Sequence, residues 1–353
     1  MRIGLVAGPW IPIPPVTYGG TERVVDSLAR GFAAAGHEVL LAAPTDSTCP
    51  VPRVPGMRPS VPDELNLTLS ELSHVARAYE GLESADIIHD HTLAGPLYAH
   101  RPEQVPVVTT IHCRLDPEAA DIYRAIARNT AVIAISRNQG SHAPDVPITR
   151  VIHHGMDVSS VPVGSGSGGY LCFVGRACPD KGLLEAVMIA HQAGLPLRIA
   201  AKMRQPDEVR FFREVVQPML GPDDDVVDEM DDASKYRLMG EALAFLNPIQ
   251  WPEPFGLVMI EALATGTPVI GTPAGSAPEI VEHGRTGYLG DIGQLAGFVG
   301  VAGGISRAAC RKEVEERFNE DRMVNEYLSL YGQLLEGALS GGVPHPVRVH
   351  QNQ

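Results

Sequence analysis

Positive charge is what this 353-residue sequence has least of: 28 Lys and Arg stand against 42 Asp and Glu, a formal net charge of −14. A surface of that sign repels polyphosphate, which excludes DNA, RNA and anionic membranes as default partners and leaves room only for a local basic pocket that takes one small anion. Lysine is much the scarcer of the two basic types, with Lys181, Lys202, Lys235 and Lys312 alone. The five cysteines, Cys49, Cys113, Cys172, Cys178 and Cys310, are odd in number, scattered and free of C-x-x-C spacing, so they read as reduced cytosolic thiols. No apolar stretch approaches the roughly 20 residues of a membrane span. Pro9, Pro12, Pro14 and Pro15 break the short apolar start, which is therefore no signal peptide. A G-x-G-x-x-G fingerprint is absent where a nicotinamide-binding fold would carry one, since Gly19-Gly20-Thr21-Glu22 stands there instead. The expectation is a cytoplasmic protein with no stable membrane association.

Hydrophobic residues at 44% and charged residues at 20% suffice for real cores, and the length favours two domains over one. Short β-rich runs at 3–7, 39–43, 87–91, 107–111, 132–135 and 150–153 alternate with amphipathic stretches. Between the first two, Val24, Val25, Leu28, Ala29 and Phe32 repeat at helical spacing up to Gly36. That is a β-α-β unit. A Gly/Ser-rich segment from Ser159 to Gly169 reads as a flexible linker, and the alternation restarts at 170–174, 197–201, 226–230, 242–246 and 268–272. The expected fold is α/β: two Rossmann-like, doubly wound parallel sheets facing across a cleft, with ligands at the carboxyl ends of the strands. The domains fall at 1–158 and 168–320; a helical stripe over 323–340 packs back on the first, and 341–353 is an aperiodic, disordered tail.

The segment richest in chemistry is Trp251-Pro252-Glu253-Pro254-Phe255-Gly256-Leu257-Val258-Met259-Ile260-Glu261. Pro254 suits the first turn of a helix, whose free amides at Phe255, Gly256 and Leu257 would face a phosphate at the positive end of the macrodipole. Glu253 and Glu261 are eight positions apart, about 12 Å along a helix, against the roughly 5 to 9.5 Å of a glycosidase pair. One extended ligand fits better, with a sugar at Glu253, a diphosphate at the helix start and a ribose at Glu261.

With these residues the sequence resembles the retaining glycosyltransferases of family 4, of GT-B fold. Glu253-x7-Glu261 looks like their acidic signature, and Gly175-Arg176-Ala177-Cys178-Pro179-Asp180-Lys181-Gly182 like their G-R-x-x-P-x-K-G phosphate motif. The resemblance implies that Arg176 and Lys181 clamp a nucleoside diphosphate, with Glu253 and His112 holding the transferred sugar; these four form the catalytic set. Gly175, Phe255, Gly256, Leu257, Glu261 and Met230 would bind the nucleotide, with Gly19 and Gly20 facing the donor phosphate. On the acceptor side it implies Glu22 and His91. It implies no cofactor and no metal: His89-Asp90-His91 puts its histidines on one strand face and its aspartate on the other, and Asp223-Asp224-Asp225 reads as a solvated loop. His154 stands where the family more often has asparagine and reads as structural.

The implied activity is transfer of a sugar from a nucleoside diphosphate donor to a hydroxyl acceptor, with retention. Residues 44–62 are short and proline-rich, and no basic helix marks the first half, which points to a soluble small molecule or oligosaccharide such as a natural product. The alternatives are a non-catalytic nucleotide-sugar binding protein on the same fold, or another GT-B-like enzyme such as an epimerase or a phosphorylase, the latter needing a pyridoxal-bearing lysine.

Overall fold

Residues 1–16 and 19–339 are described by the computed structural model, so the 341–353 tail lies outside the described residues. Two compact units divide the chain, Met1–Gly155 together with the chain from Glu320, and Met156–Asn319. No described helix is long and apolar enough to cross a membrane.

The first unit is built on a parallel sheet of β1 (Arg2–Val6), β2 (Glu38–Ala42), β3 (Ile87–Asp90), β4 (Val107–Thr110), β5 (Ala131–Ala134) and β6 (Ile148–Val151), in the order β2-β1-β3-β4-β5-β6. Its inner strands β1, β3, β4 and β5 are almost wholly buried because helices cover both faces of such a sheet. The helices are α1 (Gly20–Ala34), α2 (Thr68–Glu80), α3 (Pro117–Ile126) and α4 (Arg137–Ser141). The second unit holds β7 (Leu171–Arg176), β8 (Leu197–Lys202), β9 (Asp225–Val227), β10 (Phe245–Asn247), β11 (Val269–Gly271) and β12 (Gly287–Leu289), in the order β12-β11-β10-β7-β8-β9. Around it lie α5 (Leu183–Gln192), α6 (Pro206–Phe211), α7 (Asp232–Glu241), α8 (Leu257–Ala264), α9 (Ala277–Ile280), α10 (Ile292–Ala302) and α11 (Arg307–Arg317). The chain order reverses between β1 and β3 in one sheet and between β7 and β10 in the other, and at such points the loops leave a crevice at the carboxyl ends of the strands.

Helix α12 (Glu320–Leu339) belongs to the first unit. It approaches α1 so closely that a Cβ on Gly31 would lie 2.3 Å from Val324 Cγ2. Two of its tyrosines reach through to the sheet: the Tyr327 hydroxyl is 2.8 Å from Thr110 Oγ1, and the Tyr331 hydroxyl is 2.7 Å from His89 Nδ1.

Several local expectations are corrected. The short strand β12 was not foreseen, and β9 ends at Val227, leaving Met230 in the loop before α7. The Gly/Ser-rich segment is no free linker: Gly164, Gly166 and Gly168 donate to the carbonyls of Thr265, Gly240 and Glu241. Arg307 holds the same region, donating to the Gly164, Ala242, Gly240 and Thr265 carbonyls and to Thr267 Oγ1. The aspartate run is no solvated loop either, since Asp224 accepts from the amides of Leu197 and Gly221 and bonds His191 Nε2. It staples the turn before β9 to the start of β8.

Arg307→Leu strands buried acceptors, so it should destabilise the chain by roughly 2–4 kcal/mol, read as a fall in the urea midpoint at unchanged slope; a midpoint within error of wild type would contradict this account.

Candidate functional site

In the second unit the loops after β7, β10 and β11 converge at the reversal point. The β7 loop makes a short turn over Pro179–Lys181 and passes into α5 through Gly182, at φ +72, where a Cβ would lie 2.0 Å from the Pro248 carbonyl. Only glycine lets the β7 and β10 loops approach so closely. The contact is tied by Gln250 N donating to the Asp180 carbonyl at 2.8 Å. Across it, Lys181 Nζ donates to both oxygens of Glu253, at 2.5 and 2.6 Å, and sits 5.5 Å from the Trp251 ring centroid. Both side chains are largely enclosed, 13% and 14% exposed. The β11 loop clamps the glutamate from behind: Ser276 N donates to the Glu253 carbonyl, Ser276 Oγ to that of Phe255, and a Cβ on Gly275 would lie 2.3 Å from the Glu253 amide. Trp251 and Ser276 were not singled out from the sequence.

The helix that follows begins later than expected. Its N-cap is Gly256, at φ +80, and Leu257 is its first residue, so Pro254 and Phe255 lie in the loop and only the Leu257 amide of the expected three is helical. Phe255 is buried edge-on to Phe318, at 6.0 Å between ring centroids, so its side chain is part of the core. Glu261 lies on α8 and is bonded at 2.6 Å by Lys235 Nζ, which also pairs with Asp232 at 3.0 Å. Lys235 was given no site role from the sequence.

Arg176 closes β7 beside Gly175 and pairs with the buried Glu208 at 3.5 Å. In register across the sheet stands Lys202. Burial, then Arg204, lower its affinity for a proton. Arg176, Lys202 and Arg204 thus concentrate positive charge at one sheet edge of a strongly acidic chain. Lys202 and Arg204 carried no motif that would have marked them.

In the first unit, Gly19 caps α1, and Gly20 is its first residue. A Cβ on Gly19 would lie 2.8 Å from Glu22 Oε2, so the glycine admits that carboxylate. His91, His112 and His154 follow β3, β4 and β6 and form one group with His89. His91 Nδ1 lies 2.8 Å from His112 Nε2. His112 stacks on His154 at 5.5 Å and 15°, and His89 packs on His91 at 4.0 Å. One expectation changes here: His91 is buried behind His112 rather than lining a surface, while His154, read as structural, is buried and stacks in the cluster. Asp90 points to the other strand face, bonded by the Tyr79 hydroxyl and by Thr92. No group of three or more His, Cys, Asp or Glu among the described residues is arranged to hold a metal ion.

Burial holds these imidazoles neutral, with His89 pushed down to about 3, His112 to about 4, and His91 and His154 well below the ordinary value. His74, buried on α2, is pushed down to about 4 for the same reason. Burial acts oppositely on carboxyls, raising Asp90 to about 7 and also raising Glu71.

Residues 18–160 match the family described as Glycosyltransferase Family 4, and residues 165–299 that described as Glycosyl transferases group 1. An N-acetyl-alpha-D-glucosaminyl L-malate synthase of Bacillus anthracis is 30% identical over 124 residues, 33% of this chain and 32% of that protein. The alpha-maltose-1-phosphate synthase of Mycolicibacterium smegmatis is 27% identical over 334 residues, 82% of this chain and 84% of that one. Among solved structures, AviGT4, a glycosyltransferase involved in avilamycin A biosynthesis, aligns with TM-score 0.69 and 24% identity over 95% of this chain and 98% of its own. Anabaena Alr3699/HepE, solved with UDP-glucose, aligns with TM-score 0.73 and 19% identity over 94% and 100%. Both similarities show the fold that the two parallel sheets display.

The buried titrating groups set a pH dependence. Unfolded histidines take up protons near pH 6.5, which the five native imidazoles resist, so stability is lost as pH falls from about 6.5 towards 4; Asp90 and Glu71 act in the opposite sense, gaining stability there. The imidazoles outnumber the carboxyls, so unfolding takes up protons on balance. Urea midpoints should fall between pH 7 and 5, and a flat or rising profile would contradict the assignment of neutral buried histidines.

Proposed function

Because the chain is a GT-B glycosyltransferase of the family 4 type acting on a sugar donor, we propose that it transfers a sugar from a nucleoside diphosphate to a hydroxyl acceptor with retention at the anomeric carbon. The observation that carries this reading is the Lys181–Glu253 pair at the reversal point of the second sheet. An ammonium has three N–H groups, and the two Glu253 oxygens take at most two of them, leaving donor capacity for a phosphate oxygen. Arg176 adds a second cation at the end of β7. Together they would neutralise the charge that develops on the departing diphosphate. Glu261, fixed by Lys235, would accept from the ribose hydroxyls, the α8 N-terminus would face the phosphates, and Met230 would neighbour the base.

Glu253 and His112 would hold the sugar. The anomeric C–O bond to phosphate breaks, the acceptor oxygen bonds the same carbon on the same face, and the acceptor's proton passes to the leaving phosphate. No side chain serves as nucleophile, and no cofactor or metal is called for. The UDP-glucose complex of the Anabaena protein supports UDP as the first nucleotide to test. A neighbour involved in avilamycin A biosynthesis is consistent with an acceptor of natural-product type, and Glu22 would lie on the acceptor side.

Two measurements test the proposal. UDP, GDP, dTDP and ADP are compared by thermal shift, with and without chelator: at about a hundred times its dissociation constant a ligand stabilises by about 2.7 kcal/mol. One nucleotide should shift the melting point by several degrees whether or not chelator is present, and Glu261→Ala should abolish the shift; no shift with any of the four would count against a nucleotide donor. Glu253→Ala and Lys181→Ala should each lower turnover about a hundredfold or more while the chain still folds, as loss of a roughly 3 kcal/mol charge-assisted contact implies. Near wild-type turnover in either variant would sink the assignment.

A further inference from the structure

The histidines at the carboxyl edge of the first sheet differ in what their nitrogens do. His89 has both engaged, Nε2 with Thr110 Oγ1 at 2.8 Å and Nδ1 with the Tyr331 hydroxyl at 2.7 Å. His91 has one engaged: Nδ1 is 2.8 Å from His112 Nε2, whereas its own Nε2 is buried without a hydrogen-bond partner among the described residues. That second nitrogen decides the direction of the shared bond. Burial keeps both rings neutral, and a neutral imidazole carries its proton on one nitrogen and a lone pair on the other. Were His112 the donor, the proton of His91 would sit on the buried Nε2 as an orphaned N–H. With His91 as donor, only a lone pair is left unpaired there, and buried orphan N–H groups are the rarer of the two in native proteins.

The ring planes are constrained as well. His154 stacks on His112 with only 15° between the planes, and His89 packs on His91 at 4.0 Å. Among the described residues, His112 makes no hydrogen bond other than the one to His91, so its Nδ1 is the atom left for a ligand.

We propose that His91 is the positioning residue for His112: its Nδ1–H donates to His112 Nε2 and fixes His112 in the Nδ1–H tautomer, so that His112 acts on bound substrate only as a donor, to an oxygen. The identity of that oxygen, a hydroxyl of the transferred sugar or of the acceptor, rests on the glycosyl-transfer reading; the tautomer does not. His91 then specifies which partner of the bond is donor and which acceptor, without touching the substrate itself.

Selective 15N labelling of the histidines in the full-length protein reads the tautomer directly. The wild type is expected to show His112 protonated at Nδ1 and bare at Nε2. His91→Leu should release His112 into a mixture of tautomers, and His91→Asn, whose amide can donate from the same place, should restore the Nδ1–H form. In transfer assays with a nucleoside diphosphate sugar, His91→Leu should lower kcat about tenfold, the size of one lost hydrogen bond, with the thermal shift by UDP unchanged, and His91→Asn should recover to within about threefold of wild type. Protonation of wild-type His112 at Nε2, a His91→Leu variant with the tautomer unmoved, or a turnover indifferent to His91→Leu overturns the proposal. If no sugar nucleotide supports transfer in the wild type, the glycosyl-transfer reading fails by itself, and the wild-type tautomer still decides the role of His91.

Discussion

Lys181 and Glu253 come from different loops, are both largely enclosed, and share two hydrogen bonds at 2.5 and 2.6 Å. Removing either partner would strand a charge in a poorly solvated place, at a cost of several kcal/mol, so the pair can persist only where the backbone already holds the loops together. The glycines do this. Gly182 lets the β7 loop lie against the Pro248 carbonyl, and Gly275 lets the β11 loop lie against Glu253 itself. The pair in turn ties the loops of the central strands β7 and β10, which are neighbours with helices leaving in opposite senses. Much of what the second unit can do follows from this one junction.

Charge in that unit is arranged in opposed pairs. Lys181 faces Glu253, Lys235 faces Glu261, Arg176 faces Glu208 and Arg204 faces Glu229. In a chain with net charge −14, holding these four cations each against a carboxylate keeps the site charged while giving each of them a partner. An anionic ligand can then share the cations without assembling them. The first unit solves a different problem by different means: its four neighbouring imidazoles are neutral, ordered by stacking and by hydrogen bonds to Thr110 and Tyr331, and they offer direction rather than charge.

How far the sequence was legible depends on the range of the interaction. Alternation of apolar runs with helical stripes located the strands of both sheets to within a residue or two, except the three-residue β12, too short to show a period, β9, which stops before Met230, and β10, which begins only at Phe245. The start of α8 was misplaced because Pro254 is a good first-turn residue locally, whereas Ser276, twenty-one positions on from Phe255, binds the Phe255 carbonyl and holds that loop out of the helix. The segment 159–169 has the composition of a linker, but Arg307 and the α7 carbonyls dock it, and composition does not register acceptors supplied from so far along the chain.

The sequence by itself determined the α/β class, the two parallel sheets and the residue types of the site, because strand and helix periods are local and because motifs such as Gly175-Arg176…Lys181-Gly182 and Glu253…Glu261 are contiguous in the chain. Only the tertiary structure decided which lysine meets which glutamate, that His91 lies behind His112, and that His154 stacks upon it. Those pairings are made by crossovers that bring residues tens of positions apart to one sheet edge, and no local pattern of side chains encodes which of them will be within 3 Å.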